Sequence, residues 1–190
     1  MSEPDHSNPW TTLNSRQVYD NAWITVREDQ VLQPDGKPGI YGVVHFKNRS
    51  IGVLPVDDHG RVWLVGQFRY PLDGYSWEIP EGGGHAGESL EESARRELRE
   101  ETGLVADRLE RIATVHLSNS VSDEVAYIYR ATCLESGESA PEGAERLQVR
   151  RVEWIEAWDM LKRGEITDSM SVIALLHEAI RRAGGDSTRL

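Results

Sequence analysis

The sequence contains little cysteine, less positive than negative charge, and no long apolar run. Cys133 is its single cysteine, so no disulfide can form within the chain and we expect a reducing compartment. The net charge is -11, with 21 Lys and Arg against 32 Asp and Glu. Because the basic residues form no stripe, we expect neither nucleic acid nor an anionic membrane as partner. Met1–Pro9 is polar and no apolar window reaches transmembrane length, so we expect a cytoplasmic protein.

Several common catalytic patterns are also missing. The 6 histidines are scattered without the spacing of zinc ligands, and the chain contains neither a phosphate-binding P-loop nor a nucleophile elbow. The sequence has no internal repeat. With 190 residues and 38% hydrophobic content, it is long enough for one domain with a good core. The acidic residues are the remaining candidates for chemistry.

The stretch Gly82–Leu104 predicts a helix with clear ends. Ser89 and Glu92 form an S-x-x-E capping box at its start. Gly103 stands where a residue in the left-handed conformation ends many helices. Three glutamates fall in the last turn: Glu97, Glu100 and Glu101. The helix dipole is negative there, so each carboxylate costs roughly 0.3–1 kcal/mol, and folding alone would favour Lys or Arg.

The angular positions of these glutamates differ from those of a solvated acidic face. At about 100° per residue, Glu97 and Glu101 lie roughly 20° either side of Leu90, inside the apolar sector. Glu100 lies at one flank of that sector. The apolar row consists of Leu90, Ala94 and Leu98. Carboxylates on a buried face need a compensating cation, and crowded carboxylate oxygens suit Mg²⁺ or Mn²⁺.

The spacing of these residues resembles the signature of the Nudix hydrolases. Every specified position is filled, in the pattern Gly82-x5-Glu88-x7-Arg96-Glu97-Leu98-x-Glu100-Glu101-x-Gly103-Leu104. The resemblance implies an α/β fold, an α/β/α sandwich around a mixed β-sheet, and a hydrolase that uses Mg²⁺, with Mn²⁺ as a substitute. It also implies a set of metal ligands: Glu97, Glu100, Glu101 and the backbone carbonyl of Glu81. Arg96 is expected to pair with Glu88 and fix the loop on the helix.

Strand-like segments flank this helix and further helices follow, which indicates a mixed α/β fold. We expect a flexible tail over residues 1–12, an N-terminal antiparallel strand unit over 13–48 and the Nudix domain over 49–185. Near the C-terminus the expected segments are a mobile loop at Glu135–Arg146, a last strand at Arg150–Ile155 and helices at Glu156–Arg163 and Ser169–Ala183.

The N-terminal strands resemble the extra strands of the ADP-ribose and nucleotide-sugar branch of the Nudix family. In that branch such strands commonly exchange between subunits, so the resemblance implies a homodimer formed through them. An aromatic ring should also stack on the nucleobase of the substrate. Trp23 and Tyr41 are the expected stacking residues, with Trp10 as a third candidate that the sequence does not separate from them.

Two further segments carry expected substrate contacts. Arg69 follows a strand in the segment QFRYP, which is similar to a segment of ADP-ribose pyrophosphatases whose arginine holds a phosphate. The polar loop Leu117–Glu124 lies between two apolar strands, and the matching loop of that branch carries a glutamate that acts as general base. Glu124 or Asp123 occupies that place, and a signature glutamate remains an alternative. Asn119 stands where that branch has a proline, which widens the expected specificity beyond ADP-ribose.

The sequence therefore predicts Mg²⁺-dependent hydrolysis of a nucleoside diphosphate sugar, such as ADP-ribose, to a nucleoside monophosphate and a sugar phosphate. Glu100, Glu101 and Glu124 are the expected catalytic residues, and Arg69, Trp23 and Tyr41 the expected substrate-binding residues. One alternative is a Nudix hydrolase of a dinucleoside polyphosphate or a modified nucleoside triphosphate. The other is a sensor that binds nucleotide sugars without cleaving them.

Overall fold

The computed structural model describes residues 6–137 and 147–184. The chain divides into two compact units. The first, called the strand unit below, comprises the chain up to Lys47 together with His116–Glu124. The second, called the main unit, comprises Asn48–Val115 and Val125–Leu190. Among the described residues, no helix is long and apolar enough to cross a membrane.

The strand unit is a three-stranded antiparallel sheet in the order β1-β2-β3. Its strands are β1 (Thr11–Asp20), β2 (Ile24–Leu32) and β3 (Pro38–Phe46). The expected turn between β2 and β3 is present, because Gly36 donates to the carbonyl of Gln33 at 2.8 Å and has φ of 82°. Strand β1 begins at Thr11, so the last two residues of the expected tail belong to a strand, and residues 1–5 lie outside the described part.

The loop at residues 117–124 is held on β3 by backbone and side-chain hydrogen bonds. Val44 donates to the carbonyl of Val121 at 2.8 Å, and Asp123 donates back to the carbonyl of Val44 at 3.2 Å. The Asp123 carboxylate accepts from the backbone of Phe46 at 3.0 Å and lies 2.5 Å from His45 Nδ1. This segment is therefore an ordered part of the strand unit.

In its described residues the main unit contains two sheets and three α-helices, which confirms the mixed α/β fold. The sheet orders are β7-β4-β9-β8 and β10-β5-β6, with β4 and β9 parallel and the pairs β4–β7, β5–β6 and β5–β10 antiparallel. The strands are β4 (Arg49–Pro55), β5 (Val62–Arg69), β6 (Gly74–Glu78), β7 (Glu81–Gly84), β8 (Leu104–His116), β9 (Val125–Ser136) and β10 (Gln148–Val152). The helices are α1 (Leu90–Thr102), α2 (Trp154–Lys162) and α3 (Ser169–Arg182).

Helix α1 packs its apolar row on the sheet that contains β4 and β9. Ala94 and Leu98 are fully buried against Ile51 and Val53 of β4 and Tyr129 of β9. Burial of a large aliphatic side chain stabilises a fold by about 1.5–3 kcal/mol, so this contact fixes the helix on the strands. The carboxylates that share the buried face are thereby held beside β4 and β7.

The predicted boundary between the last strand and helix α2 is wrong. Strand β10 ends at Val152, and Trp154 and Ile155, which were expected in the strand, begin the helix. Trp154 stacks on Trp158 with ring centroids 5.8 Å apart, a pairing that helical i,i+4 spacing produces. The expected loop Glu135–Arg146 begins inside β9, and its residues 138–146 lie outside the described part of the chain.

Candidate active site

Helix α1 carries the acidic residues and has the predicted ends. Ser89 accepts from the backbone of Glu92 at 3.2 Å, and the Glu92 side chain accepts from the backbone of Ser89 at 2.8 Å, which confirms the capping box. Gly103 closes the helix with φ of 71°. Glu97 and Glu101 are only 7% and 6% exposed. Their predicted place on the buried face is therefore confirmed.

Arg96 holds the acidic residues and the preceding loop together. Its guanidinium donates to Glu88 at 3.1 Å, to Glu97 at 2.8 Å and to Glu100 at 2.9 Å. It also donates to the backbone carbonyl of Gly83 at 2.8 Å. The predicted pairing with Glu88 is confirmed, and Arg96 additionally neutralises two of the carboxylates expected to bind metal.

Strand β7 lies directly against the carboxylates of α1. The backbone N–H of Glu81 donates to Glu101 Oε2 at 2.9 Å. A Cβ atom at Gly82 would collide with the carboxylate of Glu97, so a larger residue at this position would force that carboxylate to move. The signature glycine thus permits the close approach of this backbone to the Glu97 carboxylate.

The electrostatics of this cluster fit a bound cation. Burial raises the pKa of Glu97 above its ordinary value, although the charge of Arg96 opposes that shift. A divalent cation would stabilise the charged form, and carboxylate and carbonyl oxygens are the ligands that Mg²⁺ prefers. In the described part of the chain, no three His, Cys, Asp or Glu side chains are already arranged as a complete set of metal ligands. The residues present fit a metal by their chemistry and burial.

Arg69 lies in a second ionic cluster, with Glu78 and Glu81. Its Nη2 donates to Glu78 at 2.6 Å and to Glu81 at 2.5 Å, and its Nε donates to Glu78 at 3.0 Å. Burial opposes the charge, but the hydrogen bond to Glu78 and the nearby carboxylates outweigh it and raise the pKa of Arg69. These bonds are made by Nε and Nη2, and Nη1 is the remaining nitrogen of the guanidinium that can donate to a ligand.

Asp168 completes this cluster, and the sequence reasoning missed it. Its carboxylate accepts from the backbone of Ser171 at 2.8 Å and caps helix α3. Burial, followed by the charges of Asp168 and Glu78, raises the pKa of Glu81 well above its ordinary value. Aspartate directly before Ser169 is a helix-start signal, but that signal does not predict proximity to Glu81.

The remaining predicted site residues belong to the strand unit. Trp23 is 69% exposed, and the ring of Tyr41 meets that of Trp10 edge-on at 5.3 Å while its hydroxyl donates to the carbonyl of Ser120 at 2.7 Å. Glu124 lies at the end of the loop, where its carbonyl accepts from the backbone of Leu117 at 3.1 Å. The main unit thus brings together Arg69, Glu81, Glu97, Glu100 and Glu101, whereas Trp23, Tyr41 and Glu124 remain predictions for the site.

Asp123, the alternative base, already has a structural role. Burial acts to raise the pKa of Asp123, but hydrogen bonds from His45 and from the Phe46 backbone lower it below the ordinary value. A carboxylate held in its charged form by these bonds is a weak proton acceptor. This favours Glu124 over Asp123 among the two loop candidates.

The family of the chain follows from a domain match. A family model described as the NUDIX domain matches residues 46–175, which is more than half of the chain. The chain belongs to the Nudix family. A second model, described as the nucleoside diphosphate sugar hydrolase N-terminal domain, matches residues 10–44.

Alignments with individual relatives extend over nearly the whole length of this Nudix chain. It is 30% identical over 175 residues to the ADP-ribose pyrophosphatase of Bacillus subtilis (strain 168), covering 90% of this chain and 94% of the relative. It is 32% identical over 181 residues to the ADP-ribose pyrophosphatase of Mycobacterium tuberculosis (strain ATCC 25618 / H37Rv), covering 93% and 84%. A crystal structure of an ADP compounds hydrolase matches with TM-score 0.83 and 22% identity, over 95% of this chain and 99% of that one. That likeness supports the fold, and the sequence matches identify a Nudix hydrolase.

Proposed function

We propose that this Nudix hydrolase cleaves the diphosphate linkage of a nucleoside diphosphate sugar of the ADP-ribose class. The observation that carries the proposal is the buried carboxylate pair Glu97 and Glu101 beside Gly82, in a chain related along its length to two ADP-ribose pyrophosphatases. Water adds across the P–O–P bond, so one phosphorus gains the water oxygen and the other keeps the bridging oxygen. The products are a nucleoside monophosphate and a sugar phosphate.

Mg²⁺ is the proposed metal, with Mn²⁺ as a substitute. Glu97, Glu101 and the backbone carbonyl of Glu81 would hold it, with Glu100 as an additional ligand. A bound divalent ion supplies charge neutralisation at the diphosphate and activation of the attacking water. Arg96 keeps these carboxylates in place through its bonds to Glu97 and Glu100 at 2.8 and 2.9 Å.

Other residues bind the substrate and move the proton. Arg69 is proposed to donate from Nη1 to a phosphate oxygen, while Glu78 and Glu81 fix its other N–H groups. Glu124 is proposed as the base that takes the proton from the attacking water, with Glu100 or Glu101 as the alternative. Trp23 and Tyr41 are proposed to stack on the nucleobase. We further propose a cytoplasmic homodimer formed through the N-terminal strands.

A panel of nucleotide sugars with product identification tests the proposal. The purified chain with Mg²⁺ is incubated with ADP-ribose, GDP-mannose and UDP-glucose, and products are separated by ion-exchange chromatography. We expect a nucleoside monophosphate and a sugar phosphate from at least one of them. No turnover of any of the three by metal-loaded protein would overturn the proposal, and release of pyrophosphate from nucleoside triphosphates would favour the alternative substrate class.

A further inference from the structure

A cavity of about 220 Å³ lies in the main unit beside the Arg69 cluster. It is smaller than the roughly 300–1,000 Å³ of pockets that hold a whole ligand, so it fits a fragment of one. Its lining combines two kinds of surface. Pro71 and Leu72 contribute apolar groups, and the oxygen-bearing side chains are Ser76, Glu78, Glu81, Thr167 and Asp168.

The carboxylate of Glu81 is incompletely satisfied in this cavity. The side chain is 9% exposed, and one of its oxygens accepts from Arg69 at 2.5 Å. The other, Oε2, is buried, and among the residues that the structure describes no donor bonds to it. The neighbouring carboxylate of Asp168 is also an acceptor and accepts from the backbone of Ser171. The cavity therefore offers acceptor oxygens and calls for a ligand that donates hydrogen bonds.

The charges around the cavity select an uncharged donor. The raised pKa of Glu81 favours its neutral form, but the carboxylates of Glu78 and Asp168 still outnumber the single guanidinium of Arg69, so the lining has no excess of positive charge. These carboxyl groups disfavour an anion in the interior of the cavity, and the proposed phosphate contact is made by Arg69 Nη1 alone. Sugar hydroxyls can donate to the carboxylates without adding charge, and the carbon-bound face of a sugar ring can pack on Pro71 and Leu72.

The cavity adjoins the carboxylates proposed to hold the metal. Glu81 lines it with its side chain, while the backbone N–H of the same residue donates to Glu101 Oε2 at 2.9 Å. In a nucleotide sugar, the sugar is bonded directly to a phosphate of the cleaved diphosphate. We infer that this cavity binds the hydroxyl-bearing sugar of the substrate, with Glu81 and Asp168 as the acceptors that recognise it. The inference rests on the proposed function and names a sugar-recognition site within it.

Asp168→Asn tests the role of Asp168 without removing the helix cap, because Asn caps helices as well as Asp does. Binding of ribose 5-phosphate and of inorganic phosphate to the Mg²⁺-loaded protein is measured by isothermal titration calorimetry. We expect the unmodified protein to bind ribose 5-phosphate at least tenfold more tightly than phosphate. Asp168→Asn should lose about tenfold in affinity for ribose 5-phosphate and less than twofold for phosphate. With a nucleotide sugar, KM should rise more than kcat falls.

The controls separate recognition from charge and folding. Asp159→Asn removes one negative charge from the surface of helix α2, outside the cavity, and should leave both affinities unchanged. Ser76→Ala removes a different hydroxyl from the cavity and should weaken only ribose 5-phosphate, which covers the case of an unstable Asp168 variant.

Three results would overturn the sugar site. They are equal affinities of the unmodified protein for the two probes, equal losses for both probes in Asp168→Asn, and loss of one bound Mn²⁺ by electron paramagnetic resonance in that variant. The last result would make the cavity a cation site. Failure of the nucleotide-sugar panel alone would overturn the proposed function, and it is distinguishable because the binding measurement does not depend on turnover.

Discussion

Glu97 and Glu101 are carboxylates on the buried face of a helix, at the end where the helix dipole opposes them. Burial and position both cost free energy, and in the structure Arg96 offsets part of that cost by bonding Glu97 and Glu100. Apolar residues at these places would pack on the sheet with no such cost. This arrangement fits a site in which a bound cation offsets the remaining cost of the buried carboxylates.

Replacing glutamate by the uncharged glutamine can separate the proposed metal ligand, Glu101, from the proposed general base, Glu124. We expect Glu101→Gln to lower kcat by at least 1,000-fold, because it removes a proposed metal ligand and leaves the amide beside the Glu81 N–H. Glu124→Gln should lower kcat by about 10²–10⁴-fold, the usual contribution of a general base. Initial rates with saturating substrate and Mg²⁺ measure both. A loss below tenfold in Glu124→Gln would assign the base to a signature glutamate instead.

Gly82→Ala tests whether β7 must touch the carboxylates. The added methyl group would occupy the place of the Glu97 carboxylate and displace it. Misplacement of a catalytic group by about 1 Å can cost 10²-fold, so we expect about that loss in kcat/KM. The matched control is Gly83→Ala, whose Cβ would meet its nearest neighbour, Asn48 Nδ2, at 3.4 Å, an ordinary contact. Equal activity of the two variants would contradict the proposed role of Gly82.

At the scale of elements, helix α1 and the loop before it act as one piece through Glu88 and Arg96. Hydrogen bonds from Arg96 and Ser93 lower the pKa of Glu88 to about 2. A carboxyl whose pKa is depressed in the folded state adds stability at pH values above its unfolded pKa of about 4.3. That contribution is lost as the pH falls from about 4.5 towards 2.

Glu88→Gln should therefore lower the free energy of unfolding most near neutral pH, and the difference from the unmodified protein should shrink between about pH 4.5 and 2. Urea unfolding followed by circular dichroism over this range measures it. The control Glu91→Gln removes a carboxylate from the first turn of the same helix without removing a bond to Arg96. If the difference in the free energy of unfolding between Glu88→Gln and the unmodified protein were the same at all pH values, the lowered pKa of Glu88 would be contradicted.

Capping residues predicted the ends of helix α1 correctly. Contacts between residues far apart in the chain could not be predicted from the sequence. Capping residues act within one turn, so Ser89, Glu92 and Gly103 could be read from the sequence. The contact of Arg69 with Glu78 and Glu81 depends on the register of β5 and β6 and on the turn that follows. The proximity of Asp168 to Glu81 joins residues far apart in the chain, and no periodicity encodes it. The segment at Trp154 was misread because a short apolar run fits a strand as well as a helix.

At the scale of the whole molecule, strand β1 exposes apolar side chains that would be expected to be covered in a monomer. All ten of its residues are exposed, and in the part of the chain that the structure describes it is an edge strand paired with β2 alone. Leu13 and Val18 stand at its two bulges, outside the ladder with β2, and both are exposed. Exposed apolar residues on an unpaired edge invite association, which supports the proposed homodimer.

The double variant Leu13→Lys, Val18→Lys tests this homodimer. Because both residues lie at bulges, lysine there leaves the β1–β2 register intact while placing charge on the exposed edge. In sedimentation velocity at about 1–10 µM, we expect the unmodified chain to sediment as a dimer and the variant as a monomer, since a stable interface buries about 1,600 Å² and tolerates few central charges. Ile155→Lys, at an exposed apolar residue of α2, should remain dimeric. An unmodified chain that sediments as a monomer would exclude the dimer, and a dimeric double variant would place its interface away from β1.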